Sequence, residues 1–173
     1  MIHNKYFELV AKQNELIQKK NEVNEDYYNG IYDKYSHPVI TRKHIPIHWR
    51  YDLDKKTNPY FMERLGINAT LNPGAIYFEG MFYLVVRTEG YDRKSIFALA
   101  KSKTGIDGFE FVGQPLVWED IDPDETNVYD MRLTAHEDGW IYGLFCAERK
   151  DMSMPDDSSA ALASCGISRT KDL

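Results

Sequence analysis

The residue of this chain best placed to move a proton is an aspartate among hydrophobic neighbours, in Asn127-Val128-Tyr129-Asp130-Met131-Arg132-Leu133-Thr134. It falls where a strand begins, beside Tyr129 and close to Arg132. A carboxyl group held at a strand entrance is a candidate general acid. The hairpin that follows, Ala135-His136-Glu137-Asp138-Gly139-Trp140-Ile141-Tyr142, carries an Asp-Gly turn and a β-rich exit strand. Arginines recur at strand ends. Arg87 ends a hydrophobic run, Arg93 lies in the loop after it, Arg149 ends a second run, and Arg169 follows the next. An arginine fork donates two parallel hydrogen bonds in fixed geometry, which suits phosphate and vicinal hydroxyls. Each arginine alone reads as a surface residue; their shared placement makes them candidates for one site.

The elements that must position these groups are mostly strands. Ala75-Ile76-Tyr77-Phe78, the turn Glu79-Gly80 and Met81-Phe82-Tyr83-Leu84-Val85-Val86-Arg87 read as a hairpin. Ser95-Ile96-Phe97-Ala98-Leu99-Ala100 and Phe109-Glu110-Phe111-Val112 add two strands, giving a four-stranded antiparallel meander. The pattern then restarts. Gly80-Met81-Phe82-Tyr83 recurs as Gly139-Trp140-Ile141-Tyr142, and Ala98 to Thr104, with Ser102-Lys103-Thr104, is echoed by Ala163 to Thr170, with Ser168-Arg169-Thr170. A repeated meander of this length is the signature of a propeller blade. The fold class expected is therefore all-β, with a first blade over about 73 to 117 and a second from near 128 that stops short at Leu173. A propeller closes with about four blades or more, so the chain reads as the N-terminal part of a longer protein. The alternative is a small open-sheet domain complete in itself. Blade-entry loops converge on a central channel. Asn72, before the first strand of the first blade, and Asp130, at the matching entry of the second, would share it.

Ahead of the strands, residues 1–30 read as a helix. Asn4 to about Tyr28 contains no Pro or Gly, and Phe7, Val10, Asn14 and Ile17 follow a spacing of three and four, broadened by Leu9 and Leu16. Lys12, Glu15, Lys19, Lys20 and Glu22 form the solvated side. Such a helix must cover either its own domain or another subunit, and a homo-oligomer through this helix is the slightly favoured expectation. Residues 31–60, with Pro38, Pro46 and Pro59, read as an irregular arm, and residues 61–173 as the two blades.

Composition narrows the partners. The chain has 173 residues, 43% hydrophobic and 13% aromatic, enough for one domain with a core. Its formal net charge of -6, with no Lys/Arg block, argues against nucleic acid. No apolar run approaches the roughly 18 residues of a membrane span, and the polar N-terminus is no signal peptide, so a soluble cytoplasmic protein is expected. Cys146 and Cys165 read as two buried reduced thiols. The acidic run Glu119-Asp120-Ile121-Asp122-Pro123-Asp124-Glu125 lacks the spacing of a calcium loop and reads as a solvated connection. His37, His44 and His48 have no carboxylate partner at ligand spacing, so neither metal nor cofactor is expected. Asn68-Ala69-Thr70 matches a glycosylation sequon by chance.

Three segments carry a wider resemblance: Asn72-Pro73-Gly74-Ala75, Val86-Arg87-Thr88-Glu89-Gly90-Tyr91-Asp92-Arg93 and Val128-Tyr129-Asp130-Met131-Arg132. They resemble the motifs of glycoside hydrolase family 130, the β-mannoside phosphorylases, and the resemblance covers nearly the whole chain. Within that family, the long N-terminal helix and His48-Trp49-Arg50-Tyr51-Asp52-Leu53 are most similar to the members that cleave mannosyl-glucose. The resemblance implies a five-bladed β-propeller that splits 4-O-β-D-mannosyl-D-glucose with inorganic phosphate as co-substrate, giving α-mannose 1-phosphate and glucose. It makes Asp130 the general acid, gives the sugars to Asn72, Arg87 and Arg93, and makes Arg149 and Arg169 the candidates for phosphate. Further ligands in the family come from later blades. It also implies that the proton passes through a sugar hydroxyl.

A single carboxyl group suits that chemistry. An inverting hydrolase needs one acid for the leaving oxygen and one base for water. Phosphate is already anionic at neutral pH, so it attacks without a protein base and asks for positive charge to hold it. The acid itself must carry a proton when substrate binds. Bound phosphate and the hydrophobic flank of Val128, Tyr129 and Met131 would favour that state. Two other readings remain: action on different β-mannosides, such as mannooligosaccharides or mannose linked to N-acetylglucosamine, and a non-catalytic sugar-binding fragment.

Overall fold

A computed structural model describes residues 2–117, 122 and 124–173. Of the acidic run, Glu119, Asp120, Ile121 and Pro123 lie outside the described residues. Among the described residues the fold is two antiparallel sheets preceded by a helix and an arm. The first sheet is a meander of β1 (Ile67–Phe78), β2 (Met81–Gly90), β3 (Ser95–Ser102) and β4 (Glu110–Phe111), hydrogen-bonded in that order. The second joins β5 (Glu125–Ala135), β6 (Ile141–Lys150) and β7 (Ala161–Thr170), again in chain order.

The β1–β2 hairpin closes as the sequence leads one to expect. Phe78 pairs with Met81 across Glu79-Gly80, and both turn residues have positive φ, 46° and 80°. That backbone matches the right-handed twist of the flanking strands. The repeat in the sequence is also a repeat in register. Tyr83 pairs with Lys101 on β3 and Tyr142 with Arg169 on β7, which aligns the two hairpins as the Gly80 and Gly139 segments do. The third strands align differently from the expectation. Ser102 pairs with Phe82 and Thr170 with Ile141, so Ser102 corresponds to Thr170 rather than to Ser168.

The first sheet is buried on both faces, which explains why β2 runs hydrophobic without alternation. One face gathers Leu84, Val86 and Ala100 with Ile40 and Phe109, so the irregular arm covers it. The other gathers Tyr83, Val85, Phe97 and Leu99 with Met131 of β5, and Val128, Leu133 and Phe145 pack around them. This second cluster is the seam between the sheets. The rings of Phe97 and Phe145 meet edge to face across it, 5.9 Å apart.

Before the strands, α1 covers Asn4–Gln18, not the span to Tyr28 that the absence of Pro and Gly indicated. Lys19 is already extended, and Asn21 is drawn into tertiary bonds instead. Its side-chain amide donates to the carbonyls of His37 and Ile106, and its backbone N–H donates to Asp107. An asparagine that finds such partners competes with helix continuation. A short 3-10 turn, Glu25–Tyr27, follows. No side chain of α1 is buried, and Gln13 ties the helix to the arm by donating to the carbonyls of Lys43 and Ile45. Among the described residues no helix is long and apolar enough to cross a membrane. Cysteine burial also departs from the expectation. Cys146 is half-buried and Cys165 exposed, directly opposite it on β7, because β7 is an edge strand.

Candidate active site

Asp130 and Asn72 do not precede their strands, as the sequence reading had them; they sit inside β5 and β1 at matching bulges. In β1 the pairing passes from Leu71 with Arg87 to Gly74 with Val85, so Asn72 and Pro73 oppose a single residue, Val86. In β5 it passes from Tyr129 with Cys146 to Arg132 with Leu144, so Asp130 and Met131 oppose Phe145. One extra residue bends the strand and re-aims its side chain. Both bulge residues are left-handed, Asn72 at φ 34° and Asp130 at φ 58°. Asn and Asp are the non-glycine types that tolerate this region best.

The bulges meet because Gly74 has no side chain. A Cβ there would lie 2.5 Å from the Met131 carbonyl oxygen, so glycine lets β1 and β5 approach backbone to backbone. Arg132 then fastens the contact, its Nη1 donating to the carbonyls of Asn72 at 3.2 Å and Met131 at 3.0 Å.

Across this junction three predicted site residues come together. Asn72 Nδ2 donates to Asp130 Oδ2 at 3.0 Å, and Arg87 Nη1 donates to Asp130 Oδ1 at 3.1 Å. The Asp130 side chain is 32% exposed and that of Arg87 is 17% exposed, so the pair is half-sheltered and still open to a ligand. Arg87 lies within β2 rather than at its end, and more than Asp130 holds it. Its Nη2 donates to Glu89 at 3.1 Å, its Nε donates to Ser95 Oγ at 3.1 Å, and its guanidinium lies 4.7 Å from the centre of the Tyr129 ring. Tyr129 is fixed in turn, its hydroxyl donating to Glu148 at 2.6 Å. The Cys146 side chain beside that hydroxyl, then the Glu148 carboxylate and burial, push its pKa well above the ordinary tyrosine range.

The other predicted residues are placed less closely. Arg93 is exposed in the β2–β3 turn at φ 62°, and its carbonyl accepts from Asn127 Nδ2 at 3.5 Å. Asn127 also accepts the Ser95 N–H at 2.8 Å, which ties that turn to the start of β5. Arg149 is exposed near the end of β6, 3.9 Å from Asp122. Arg169 lies 4.3 Å over the Trp140 ring and borders a cavity of about 440 Å³ lined by Val85, Leu99, Leu133 and Ile141. Arg169 pairs with Tyr142, seven positions along β6 from Arg149. At ~3.3 Å per residue the two backbones stand roughly 23 Å apart, too far for both side chains to hold one phosphate.

Glu89, Ser95, Asn127 and Glu148 were not singled out from the sequence. The signal for Glu89 was there: it stands two residues after Arg87 in a strand, hence on the same face. Ser95, Asn127 and Glu148 become partners only through sheet register and the seam. Among the described residues no cluster of His, Cys, Asp and Glu is arranged to hold a metal ion.

A carboxylate gripped by an arginine and an amide at the junction of two β-sheets makes a polar, half-sheltered site on an all-β scaffold. No family model matches the chain. The resemblance read from its motifs is nevertheless carried by a curated relative. The chain is a homologue of a 4-O-beta-D-mannosyl-D-glucose phosphorylase of Bacteroides fragilis, with 54% identity over 175 aligned residues covering 100% of this chain. It spans 44% of that relative's length. Among solved structures, a Bacteroides ovatus protein described as a glycoside hydrolase shares 27% identity at a TM-score of 0.44, over 58% of this chain and 28% of that one. A glycosyl hydrolase, also of Bacteroides ovatus, shares 18% identity at a TM-score of 0.47, over 60% and 29%.

Proposed function

We propose that this chain supplies the general acid and part of the sugar pocket of a β-mannoside phosphorylase. Its reaction is phosphorolysis of 4-O-β-D-mannosyl-D-glucose to α-mannose 1-phosphate and glucose. The observation that carries the reading is the Asn72–Asp130–Arg87 cluster, two left-handed bulges brought together at a glycine, in a chain 54% identical to a mannosylglucose phosphorylase. The two sheets are read as adjacent blades of a five-bladed propeller, with the bulges facing its channel.

In this reading Asp130 delivers the proton that the leaving glucose oxygen needs. Both of its oxygens accept hydrogen bonds, from Asn72 and Arg87, and a sugar hydroxyl that joins them receives the Asp130 proton and passes its own to the leaving glucose oxygen. Asn72 and Arg87 bind the sugar on either side of the bond, with Arg93 at the rim of the turn. Phosphate attacks the anomeric carbon from the opposite face and needs positive charge rather than a base. Arg149 is the better of the two phosphate candidates, since its contact with the exposed Asp122 is loose at 3.9 Å whereas Arg169 is stacked over Trp140.

The test is incubation of the protein, taken over its whole reading frame, with mannosylglucose in the presence and absence of phosphate. Release of mannose 1-phosphate that depends on phosphate supports the reading. Free mannose formed without phosphate points to a hydrolase and contradicts it, and binding of the disaccharide without turnover points to a sugar-binding protein. Mannooligosaccharides and mannosyl-N-acetylglucosamine as alternative substrates fix the acceptor.

A further inference from the structure

Arginine and a carboxylate ordinarily associate fork to fork, with two parallel N–H···O bonds. Arg87 does not treat Asp130 that way. Its fork is split between two carboxylates, Nη1 to Asp130 Oδ1 and Nη2 to Glu89 Oε2, each at 3.1 Å. Glu89 leaves β2 on the same face as Arg87, two residues on. Its side chain is only 13% exposed, and its second oxygen accepts from Asn68 Nδ2 on β1 at 2.7 Å. Both Glu89 oxygens are therefore committed, one to each strand of the hairpin. Ser95 Oγ takes the Nε hydrogen of Arg87 and fixes the remaining edge of the guanidinium.

We propose that Glu89 is a positioning residue for the Asp130 site. By occupying Nη2 it keeps Arg87 from closing a bidentate clamp on Asp130. The acid is then held by one arginine N–H, and its Oδ2 stays directed to Asn72 and to an incoming hydroxyl. Glu89 acts on the reaction through Arg87. If its carboxylate is removed, Nη2 is left without its anion and the guanidinium turns onto both oxygens of Asp130. The kinetic consequence rests on the phosphorylase reading; the structural one rests on the geometry alone.

Two measurements on Glu89→Ala and Glu89→Gln test this. The first is the Arg87 Nε–H signal in heteronuclear NMR of the protein, which reports the guanidinium setting without any turnover. The second is steady-state phosphorolysis of mannosylglucose. The proposal expects the Nε–H signal to move in Glu89→Ala and kcat to fall about tenfold, with KM changing less than about threefold. Glu89→Gln, which keeps one of the two acceptor oxygens and no charge, recovers part of both. A Glu89→Ala signal that stays where it is in the wild type overturns the positioning role. A moved signal with kcat within about twofold of wild type overturns its bearing on catalysis. If Glu89→Ala does not fold, the same readings on Glu89→Met, which fills the space of the side chain without an acceptor oxygen, decide in its place. A wild-type protein that releases no mannose 1-phosphate counts against the phosphorylase reading, and the Nε–H signal still decides the role of Glu89.

Discussion

Replacing Gly74 with alanine tests whether the close approach of β1 and β5 builds the site. The added methyl would meet the Met131 carbonyl oxygen at 2.5 Å, the carbonyl carbon at 3.1 Å and the Arg132 Cα at 3.3 Å. All three are backbone atoms, so no side chain can swing away to make room. Reaching ordinary contact with the oxygen, at 3.4 Å, requires the strands to part by roughly 0.9 Å. Carried into the 3.0 Å bond from Asn72 to Asp130, that displacement exceeds hydrogen-bonding range. Forced overpacking of this kind costs about 1–3 kcal/mol, which for a domain of this size lowers Tm by roughly 2–12 °C. Gly74 is not in the left-handed region, so no backbone strain is added to that figure. The assay is thermal unfolding by circular dichroism, with phosphorolysis measured on the same preparation. The expected result is a lower Tm and a fall in kcat larger than the stability loss explains. A Gly74→Ala protein with wild-type Tm and wild-type kcat would refute the reasoning, because the two bulges would then meet without the glycine.

Two further predictions follow from the same geometry. His44 is buried, and loss of solvation holds its pKa below the usual 6.5, so the unfolded chain takes up a proton that the folded chain refuses. Stability is therefore full above about pH 6.5 and declines as the pH falls through that value. Tm should drop between pH 7 and 5 and the drop should shrink in His44→Gln, with a variant as pH-sensitive as the wild type counting against it. Arg149→Ala should raise KM for phosphate by tenfold or more, roughly the loss of one charge-assisted hydrogen bond. Arg169→Ala should raise it by less than about threefold, and equal effects would overturn the ranking of the two.

Much of the scaffold was legible because strand physics is local. Glu79-Gly80 and Asp138-Gly139 mark their turns, and the uninterrupted run through Tyr83, Leu84, Val85 and Val86 marks a strand covered on both faces. The grouping of Asn72, Arg87 and Asp130 was also within reach, since each stands in a recognisable segment. The bulges were not. Pro73 can indicate an interrupted ladder, but nothing in Tyr129-Asp130-Met131 announces that two residues will oppose Phe145. The length of α1 failed for a different reason. The helix stops where Asn21 finds Asp107, His37 and Ile106, partners far away in sequence that no periodicity records. The phosphate candidates shared the motif of an arginine near a strand end, and register alone separates them to opposite ends of the second sheet.

The central claim is that Asp130 supplies the proton for cleavage of a β-mannoside. Its most direct test is the rate of phosphorolysis of mannosylglucose by Asp130→Asn, a change that keeps the shape of the side chain and removes its proton. Loss of a general acid costs typically 10²–10⁴ in rate. A fall of that size in kcat, in a protein with unchanged circular dichroism, is the result expected. Retention of most of the wild-type rate would contradict the account and move the acid elsewhere.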